Sequence, residues 1–385
     1  MVNHNAYITA AVRSPIGIGK ADKGALAPMA PVDLAAHVLN AALERAGVEP
    51  SRVEDVILGC VTPIRDQGAN IARLSLLQAG FPFQVPGVQL NRMCGSGQQA
   101  VHFASQAILA GDMDLVLAGG IEMMSHQPLG ADYPESWPGN FPYNLVHQGI
   151  SAEMMAERWH LTREALDDYA FESHRRAAAA IKEGRSAAQI APVEISDGDG
   201  SRRFEYDQGV RMDPDREKMA ALKPAFREDG VITAGNSSQI SDGAAALVIA
   251  SEEALRRYDL RPLARIVART VVGSDPVLML DGPIAATRAV LERAGLTLED
   301  IDVVEINEAF ASVVLAWAKE LGADFARVNP DGGAIAHGHP LGATGAVLMT
   351  KLVYELEQQQ AHWGLQTMCI GHGMATATII ERIGG

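Results

Sequence analysis

Apolar and polar positions follow the same order in two distant parts of the chain. Residues 43–59 read "LERAGVEPSRVEDVILG" and residues 291–307 read "LERAGLTLEDIDVVEIN". Each segment has the period of an amphipathic helix, then a glycine that ends it, a polar turn and a short β-branched run. The match predicts a duplication in which each half alternates strands with helices.

Later blocks of the two halves also correspond. "VPGVQL" leads into the glycine-rich "CGSGQQA" and a helical pattern, and "ADFARV" leads into "GGAIAHGHPLGATGA" and another helical pattern. "MDLVLAGG" and "QTMCIGHG" both read as strands that run into glycines. We therefore predict two α/β halves, one over residues 1–120 plus 240–262 and one over residues 263–385.

The pattern changes between residues 121 and 239. "SHQPLGADYPESWPGNFPYN" is rich in proline, glycine and aromatic residues, and a charged helical stretch follows it. This texture predicts an inserted loop domain that covers the first half. A long structured insertion beside a reactive residue is typical of a substrate lid.

Composition limits the possible functions. Hydrophobic residues make up 48% and charged residues 21% of the 385 residues, which is typical of a globular protein of two or three domains. No segment approaches the ~20 apolar residues of a membrane span, and "MVNHNAYITAAVRSPIG" lacks the pattern of an export signal. We expect a cytoplasmic protein that binds no membrane. The net charge of −15 argues against nucleic-acid binding.

The chain has three cysteines, namely Cys60, Cys94 and Cys369. Their odd number and irregular spacing predict free thiols in a reducing compartment. His337 and His339 are spaced i, i+2 around a glycine, and no Cys-x-x-Cys occurs, so we predict no metal site.

Cys94 is the strongest candidate for a nucleophile. It lies between the strand pattern "VPGVQL" and a helical pattern that begins near Gly97, so unpaired amides and the helix dipole favour a thiolate. Gly95 and Gly97 would let a substrate carbonyl approach the backbone, with the Cys94 amide as an oxyanion donor. The alternative is a small buried cysteine, which is the interpretation we give to Cys60.

Three further residues are candidates for the same site. Cys369 ends an apolar run at two glycines and could exchange protons, although it could also be a core cysteine. His339 precedes a proline in a glycine-rich loop, and its ring could take a proton from a thiol. The i, i+2 spacing of His337 and His339 predicts that their rings point apart, so that only one of them faces the thiol. Asn307 ends a strand, where it could hold a water molecule or cap a helix that starts at Glu308.

Five blocks together resemble the thiolase family. They are "CGSGQQA", "TAGNSSQISDGAAA", "EINEAFA", "GGAIAHGHPLGATGA" and "CIGHGM", and they occur in this order across nearly the whole chain. The resemblance implies an α/β fold of two βαβαβαββ halves in a five-layered α-β-α-β-α sandwich with an inserted loop domain. It also implies an acyltransferase that cleaves 3-oxoacyl-CoA or condenses acyl-CoA, and a homodimer or homotetramer.

The resemblance assigns roles to the candidate residues. Cys94 carries the acyl group, His339 activates it, and Cys369 moves a proton on or off the α-carbon. Asn307 holds a water molecule that forms one oxyanion hole with His339. The backbone amides of Cys94 and Gly371 form the other.

Coenzyme A enters as a substrate, and no tightly bound cofactor is expected. The residues that resemble the family's ligand contacts are Ser238, Arg211, Lys218, Phe226, Ala234, His147 and Met279. The family often has serine where Lys218 stands. Seven Lys or Arg and five Asp or Glu between residues 202 and 227 supply a local basic patch, although a solvated charged surface would look the same.

Some positions depart from the family's pattern, namely His337, His372 and Gln148. We expect them to touch the acyl pocket, so the identity of the acyl group is not predicted. The residues of other blocks resemble degradative members of the family that act on bulky substrates.

Three alternative functions stay open. They are a related ketosynthase that uses two histidines and a carrier, a non-catalytic acyl-CoA or lipid-binding protein, and a disulfide switch between Cys94 and Cys369, which requires Cα atoms within roughly 7 Å.

Overall fold

The computed structural model describes residues 5–196 and 200–384. Residues 197–199 of the predicted insertion, and residues 1–4 of the segment searched for an export signal, lie outside this part. The strands are β1 Ala6–Arg13, β2 Gly17–Ile18, β3 Asp55–Gly59, β4 Gly87–Leu90, β5 Leu115–Met123, β6 Val193–Ser196, β7 Ser201–Phe204, β8 Ser241–Ser251, β9 Ala264–Gly273, β10 Val303–Ile306, β11 Trp363–Ile370 and β12 Met374–Arg382. The helices are α1 Pro31–Ala46, α2 Ile71–Gln78, α3 Ser96–Ala110, α4 Gln148–Arg158, α5 Arg163–Lys182, α6 Arg216–Ala220, α7 Glu252–Tyr258, α8 Gly282–Ala294, α9 Ala311–Leu321, α10 Ala334–His337 and α11 Leu341–Gln359.

The two repeated segments fold in the same way. Helices α1 and α8 each end at the glycine of an "ERAG" sequence, where Gly47 has φ +67° and Gly295 has φ +69°. Glycine reaches this left-handed conformation without a side-chain clash, so it closes the helix and turns the chain. The strands β3 and β10 follow at equivalent places, as the pattern predicted.

Each half forms one part of a continuous sheet. The first half has the strand order β1-β8-β5-β3-β4, and the second half has β9-β12-β11-β10. A short antiparallel pairing at Tyr7↔Arg265 and Ile8↔Ala264 joins them. The first half follows the predicted βαβαβαββ order. In the second half, the strand predicted around "ADFARV" is reduced to a bridge between Val304 and Val328.

Helices and sheets alternate in layers. Helices α1 and α2 cover the outer face of the first half, and α8 and α9 cover the outer face of the second half. Helices α3 and α11 lie between the two halves, where they pack on strands of both. The expected five-layered α-β-α-β-α arrangement is therefore present.

The two central helices touch closely at glycines. A Cβ on Gly97 would lie 2.8 Å from the backbone nitrogen of Ala346, and a Cβ on Gly345 would overlap the backbone of Gln98. A Cβ on Gly95 would collide with the side chain of Ile370. Packing against the second half therefore requires glycine at both positions, and the approach of a substrate carbonyl to them stays a prediction.

The insertion differs from its predicted limits and coverage. Strand β5 continues to Met123, so the insertion starts after that residue and not at 121. Its hairpin β6–β7 packs against the first half, but α4 and α5 pack against α9 of the second half. The insertion thus spans both halves and does not cover the first alone. Within residues 5–196 and 200–384, no helix is long and apolar enough to cross a membrane.

Candidate active site

Cys94 lies in a tight turn between β4 and α3. The turn is held by side-chain contacts, since Asn91 Oδ1 accepts from the amide of Met93 at 2.8 Å and Ser96 Oγ donates to the carbonyl of Met93 at 2.6 Å. Met93 has φ +46°, a strained value for a residue with a side chain. Cys94 itself is 5% exposed and lies two residues before the first residue of α3. The turn fixes its position close to the start of the helix.

Two backbone amides lie near the sulphur of Cys94. The amides of Gly371 and of Cys94 itself lower the pKa of the thiol, but burial has the larger effect and raises this pKa to about 11. The prediction that the helix start lowers the pKa is therefore wrong for the resting protein. A thiol this protonated needs a base beside it before it can attack.

His339 is held in the form that can act as that base. Its Nδ1 lies 2.6 Å from Thr344 Oγ1, and this hydroxyl donates to the carbonyl of Pro340 at 2.9 Å. Because the hydroxyl already donates its proton to the carbonyl of Pro340, it must accept a hydrogen bond from Nδ1–H. Nε2 is then the unprotonated nitrogen, which can accept a proton. Burial lowers the pKa of His339 to about 4, so the ring is neutral at pH 7.

Asn307 lies against the free side of this imidazole. Its Nδ2 is 3.4 Å from His339 Nε2, and its Oδ1 is buried without a hydrogen-bond partner among the described residues. The interpretation of Asn307 as the cap of a helix starting at Glu308 is wrong, because α9 begins at Ala311 after Phe310. A buried acceptor of this kind can bind a water molecule.

Cys369 is the second sulphur of the site. It is the penultimate residue of β11 and is 1% exposed. Burial raises the pKa of its thiol far above the ordinary range, and the charge of an ionised Cys94 raises it further. That electrostatic coupling reflects the closeness of the two sulphur atoms. All three cysteines are free thiols.

These pKa values predict how Cys94 reacts with iodoacetamide. Only the thiolate is alkylated, so the rate should rise about tenfold per pH unit from pH 7 to 9.5 without a plateau, since the pKa of Cys94 lies above this range. Second-order rates measured by mass spectrometry of the Cys94 peptide test this. A plateau below pH 8 would instead indicate that thiolate and imidazolium already form an ion pair in the resting protein.

The structure separates the two histidines of the Gly-rich loop, as predicted. His337 is buried, with Nδ1 2.8 Å from Asp207 Oδ2 and Nε2 2.8 Å from the carbonyl of Asp331. Asp207 also pairs with Arg13 at 2.7 Å. The expectation that His337 touches the acyl pocket is therefore wrong, because it ties the insertion to the second half.

A cavity of about 310 Å³ opens beside Gly371. Gly371, whose amide lies near the Cys94 sulphur, is part of the wall of this cavity. Of the predicted residues, it brings together His147, Gln148, Met279 and His372. The remaining lining residues are Leu129, Gly130, Tyr133, Trp137, Leu145 and Val146. It is a largely apolar pocket of the size that small organic groups occupy.

Other predicted ligand contacts lie in a second groove. Arg211 and Lys218 line a cavity of about 220 Å³ whose wall includes Gly235, the neighbour of Ala234. Two acidic residues share this groove, and Lys218 pairs with one of them, Asp215, at 3.0 Å. The basic character expected here therefore rests mainly on Arg211.

Phe226 lies against a residue of the pocket wall. Its ring stacks on His147 at 5.2 Å and packs on the apolar cluster that includes Met219 of the groove and Met279 of the pocket. Ser238 follows Phe226 by 12 positions, and its backbone amide donates to the carbonyl of Ala309 at 2.9 Å. Of the predicted ligand residues, His147 and Met279 thus line the pocket and Arg211 and Lys218 line the groove.

The fold and the site together match a known family. The family model described as thiolase, N-terminal domain, matches residues 6–253, and the model described as thiolase, C-terminal domain, matches residues 260–382. The chain belongs to the thiolase family. The resemblance read from the five sequence blocks is confirmed.

Known relatives and a solved structure support the same family assignment. The chain is 48% identical to a steroid 3-ketoacyl-CoA thiolase of Mycobacterium tuberculosis, with 98% of this chain and 94% of that protein covered. It is 43% identical to an acetyl-CoA acetyltransferase of Chromobacterium violaceum, with 97% and 99% covered. A crystal structure of the acetyl-CoA acetyltransferase of Bacillus anthracis matches with a TM-score of 0.91 and 41% identity over 99% of each chain. This thiolase is therefore an acyltransferase.

Sequence reasoning missed two residues that hold the site together. Thr344 fixes the ring of His339, and Glu122 is a fully buried carboxylate that accepts from the amides of Val61, Thr62 and Gly342. Glu122 thereby ties both halves of this thiolase together close to the thiols. The sequence feature that could have identified Glu122 is a single acidic residue in the otherwise apolar strand "LVLAGGIEM". Among the described residues, no cluster of three or more His, Cys, Asp or Glu could hold a metal ion.

Proposed function

We propose that this thiolase cleaves 3-oxoacyl-CoA with free CoA, and condenses acyl-CoA in reverse, through an acyl group carried on Cys94. The observation that carries the proposal is the buried thiol of Cys94 near the backbone amides of Gly371 and of Cys94 itself, in a chain of the thiolase family. An acyl oxygen on this sulphur would lie where both amides can donate to it. In this proposal, Cys369 and the His339–Asn307 pair supply the proton chemistry.

In the first half-reaction, His339 Nε2 takes the thiol proton of Cys94, and the sulphur attacks the 3-oxo carbon. The bond between C2 and C3 then breaks, and its electron pair leaves as the enolate of acetyl-CoA. The thiol of Cys369 gives its proton to the enolate α-carbon, so acetyl-CoA departs and the Cys369 thiolate remains. The enolate oxygen is stabilised by a water molecule on Asn307 and by the protonated His339.

In the second half-reaction, free CoA regenerates the enzyme. The thiol of CoA gives its proton to the Cys369 thiolate and attacks the acyl carbon on Cys94. The Cys94 sulphur leaves and recovers its proton from His339, which releases the shortened acyl-CoA. Thioesters stand on both sides of this exchange, so the reaction runs in either direction.

Acetoacetyl-CoA thiolysis tests this function. With free CoA, the absorbance of acetoacetyl-CoA should fall and two molecules of acetyl-CoA should form for each one consumed. A related ketosynthase would instead turn over malonyl groups on a carrier and cleave no acetoacetyl-CoA. That class uses two histidines with its cysteine, whereas His337 here is bound to Asp207 and to the Asp331 carbonyl. A non-catalytic acyl-CoA-binding protein would cleave neither substrate.

We further propose that CoA lies along the path from Arg211 to Gly371, with Phe226, His147 and Ser238 beside it. Arg211 is the main cation of the outer groove, since Lys218 pairs with Asp215. The phosphates of CoA would meet its guanidinium, and the thiol end would reach the buried pocket. Arg211→Gln should raise the KM for CoA severalfold and leave kcat nearly unchanged. An unchanged KM would place the CoA phosphates elsewhere.

Two further proposals concern the environment of the protein. Strand β4 lies at the end of the sheet, and exposed apolar side chains surround it, namely Phe83, Val88, Phe103, Leu74 and Leu77. An exposed apolar edge is stable when a second copy covers it, which supports a homodimer or a homotetramer built as a dimer of dimers. Sedimentation at the mass of a single chain would exclude the proposed dimer or tetramer.

We also propose a cytoplasmic location. The three free cysteines support it, and cell fractionation would test it.

A further inference from the structure

The pocket beside Gly371 is continued by a row of aromatic rings, which we call the aromatic wall. His372 lies 5.8 Å from Tyr133 and 5.9 Å from Trp137 between ring centroids. Trp137 stacks on Phe141 at 5.4 Å, and Phe141 meets Tyr143 at 6.2 Å. His372 comes from the loop after Cys369, whereas the other four rings come from the insertion. The wall therefore joins the catalytic loop to the insertion.

The outer rings of the wall are open to solvent. Trp137 is 42% exposed and Tyr143 is 52% exposed, and Tyr133 and Phe141 are exposed to a similar degree. Contiguous exposed aromatic surface is uncommon on a protein unless something binds to it. The inner end of the wall lines the same cavity as Gly371, whose amide lies near the Cys94 sulphur. An acyl group carried on Cys94 is thus the group that can extend along these rings.

The backbone of His372 indicates that its ring has a specific use. This residue has φ +64°, in the left-handed region that residues with side chains seldom adopt, and it lies between two glycines. A third glycine would adopt this conformation freely, so the imidazole is kept at the expense of backbone strain. Such strain concentrates at functional sites, and here it brings the ring to Tyr133 and Trp137.

We propose that the aromatic wall selects 3-oxoacyl-CoA substrates whose acyl group carries a ring, alicyclic or aromatic, over straight-chain substrates of equal carbon number. The inference rests on the proposed thiolase function and names its substrate class. A rigid ring can lay its whole face on the wall, and it has few torsions to order on binding. A flexible alkyl chain of the same size gains less contact with flat rings and gives up more conformational freedom.

A pair of substrates with nine acyl carbons tests the selection. They are 3-cyclohexyl-3-oxopropanoyl-CoA and 3-oxononanoyl-CoA, and kcat/KM is measured for both with the full-length protein and free CoA. The wild type should favour the ring-bearing substrate by at least about tenfold, the combined effect of several ring contacts. Trp137→Ala and His372→Gly should each lower this ratio severalfold. Tyr206→Ala, at an exposed tyrosine outside the pocket lining, should leave the ratio unchanged.

Three outcomes count against the inference. A wild-type preference for the straight chain overturns it, while cleavage of acetoacetyl-CoA leaves the proposed function intact. An equal fall in both kcat/KM values in Trp137→Ala and in His372→Gly also overturns it, because a merely structural role would lower both alike. Failure to cleave any of these substrates, acetoacetyl-CoA included, overturns the proposed function and the inference together.

Discussion

Cys94→Ala should lower kcat/KM for acetoacetyl-CoA thiolysis by at least about 10⁴-fold, since removing the nucleophile of a covalent mechanism leaves only binding and oxyanion stabilisation. The fold should persist, because Cys94 is a small side chain in a minor apolar cluster with Val61, Met124, Leu341 and Met368. Steady-state kinetics measures the loss of activity, and a circular dichroism spectrum shows whether the fold persists. The loss should fall on kcat, with binding of acyl-CoA retained.

Cys60→Ala is the matched control for this variant. Cys60 is also a buried free cysteine, but it packs in the outer core of the first half and has no place in the proposed chemistry. Its activity should stay within about twofold of wild type, since substitutions away from the site act mainly on stability. If Cys60→Ala and Cys94→Ala lost activity to the same extent, general disruption would explain both, and Cys94 would lose its special role.

Cys369→Ala should separate the two parts of the reaction. Condensation and cleavage both need a proton moved at the α-carbon, so their rates should fall by about 10²–10⁴-fold, the usual contribution of a positioned acid or base. Transfer of an acetyl group between CoA and Cys94 needs no proton at that carbon. In that transfer Cys369 exchanges a proton only with the CoA thiol, whose thiolate is stable enough to leave or attack without an acid or base beside it. Exchange of labelled CoA into acetyl-CoA should therefore fall much less than condensation does.

The ratio of these two rates is the informative quantity. A variant that merely disturbs the pocket would lower exchange and condensation together, and that outcome would remove Cys369 from the α-carbon step. Cys369→Ser serves as the comparison of similar size. Its hydroxyl is a far weaker acid than a thiol, so condensation should stay low while the packing of β11 is kept.

The sequence predicted the fold because its signals were local and repeated. The two "ERAG" segments place a left-handed glycine at the end of α1 and of α8, and the strands that follow are set by their β-branched residues. The strand near Val328 was overestimated, since this segment keeps only a bridge to Val304. A short apolar run predicts that a segment is buried more reliably than it predicts that the segment pairs with a neighbouring strand.

The candidate site was predicted less completely, because burial depends on the assembled fold. The position of Cys94 before α3 suggested a lowered pKa, but the layers around it exclude water and raise the pKa instead. The loop sequence alone predicts His337 as a pocket residue, because its partner Asp207 lies 130 positions away in the chain. The aromatic wall appeared in the sequence only as a loop rich in proline, glycine and rings, because its arrangement depends on His372 from the opposite end of the chain.

The central claim is that Cys94 carries the acyl group, and mass spectrometry after acid quenching tests it most directly. Wild-type protein is mixed with acetyl-CoA, quenched within the first turnover, digested and mapped. We predict one added acetyl group on the peptide that contains Cys94 and none on those that contain Cys60 or Cys369, with the adduct removed by free CoA. An acetyl group on Cys369 instead, or no adduct while the enzyme turns over, would contradict this mechanism.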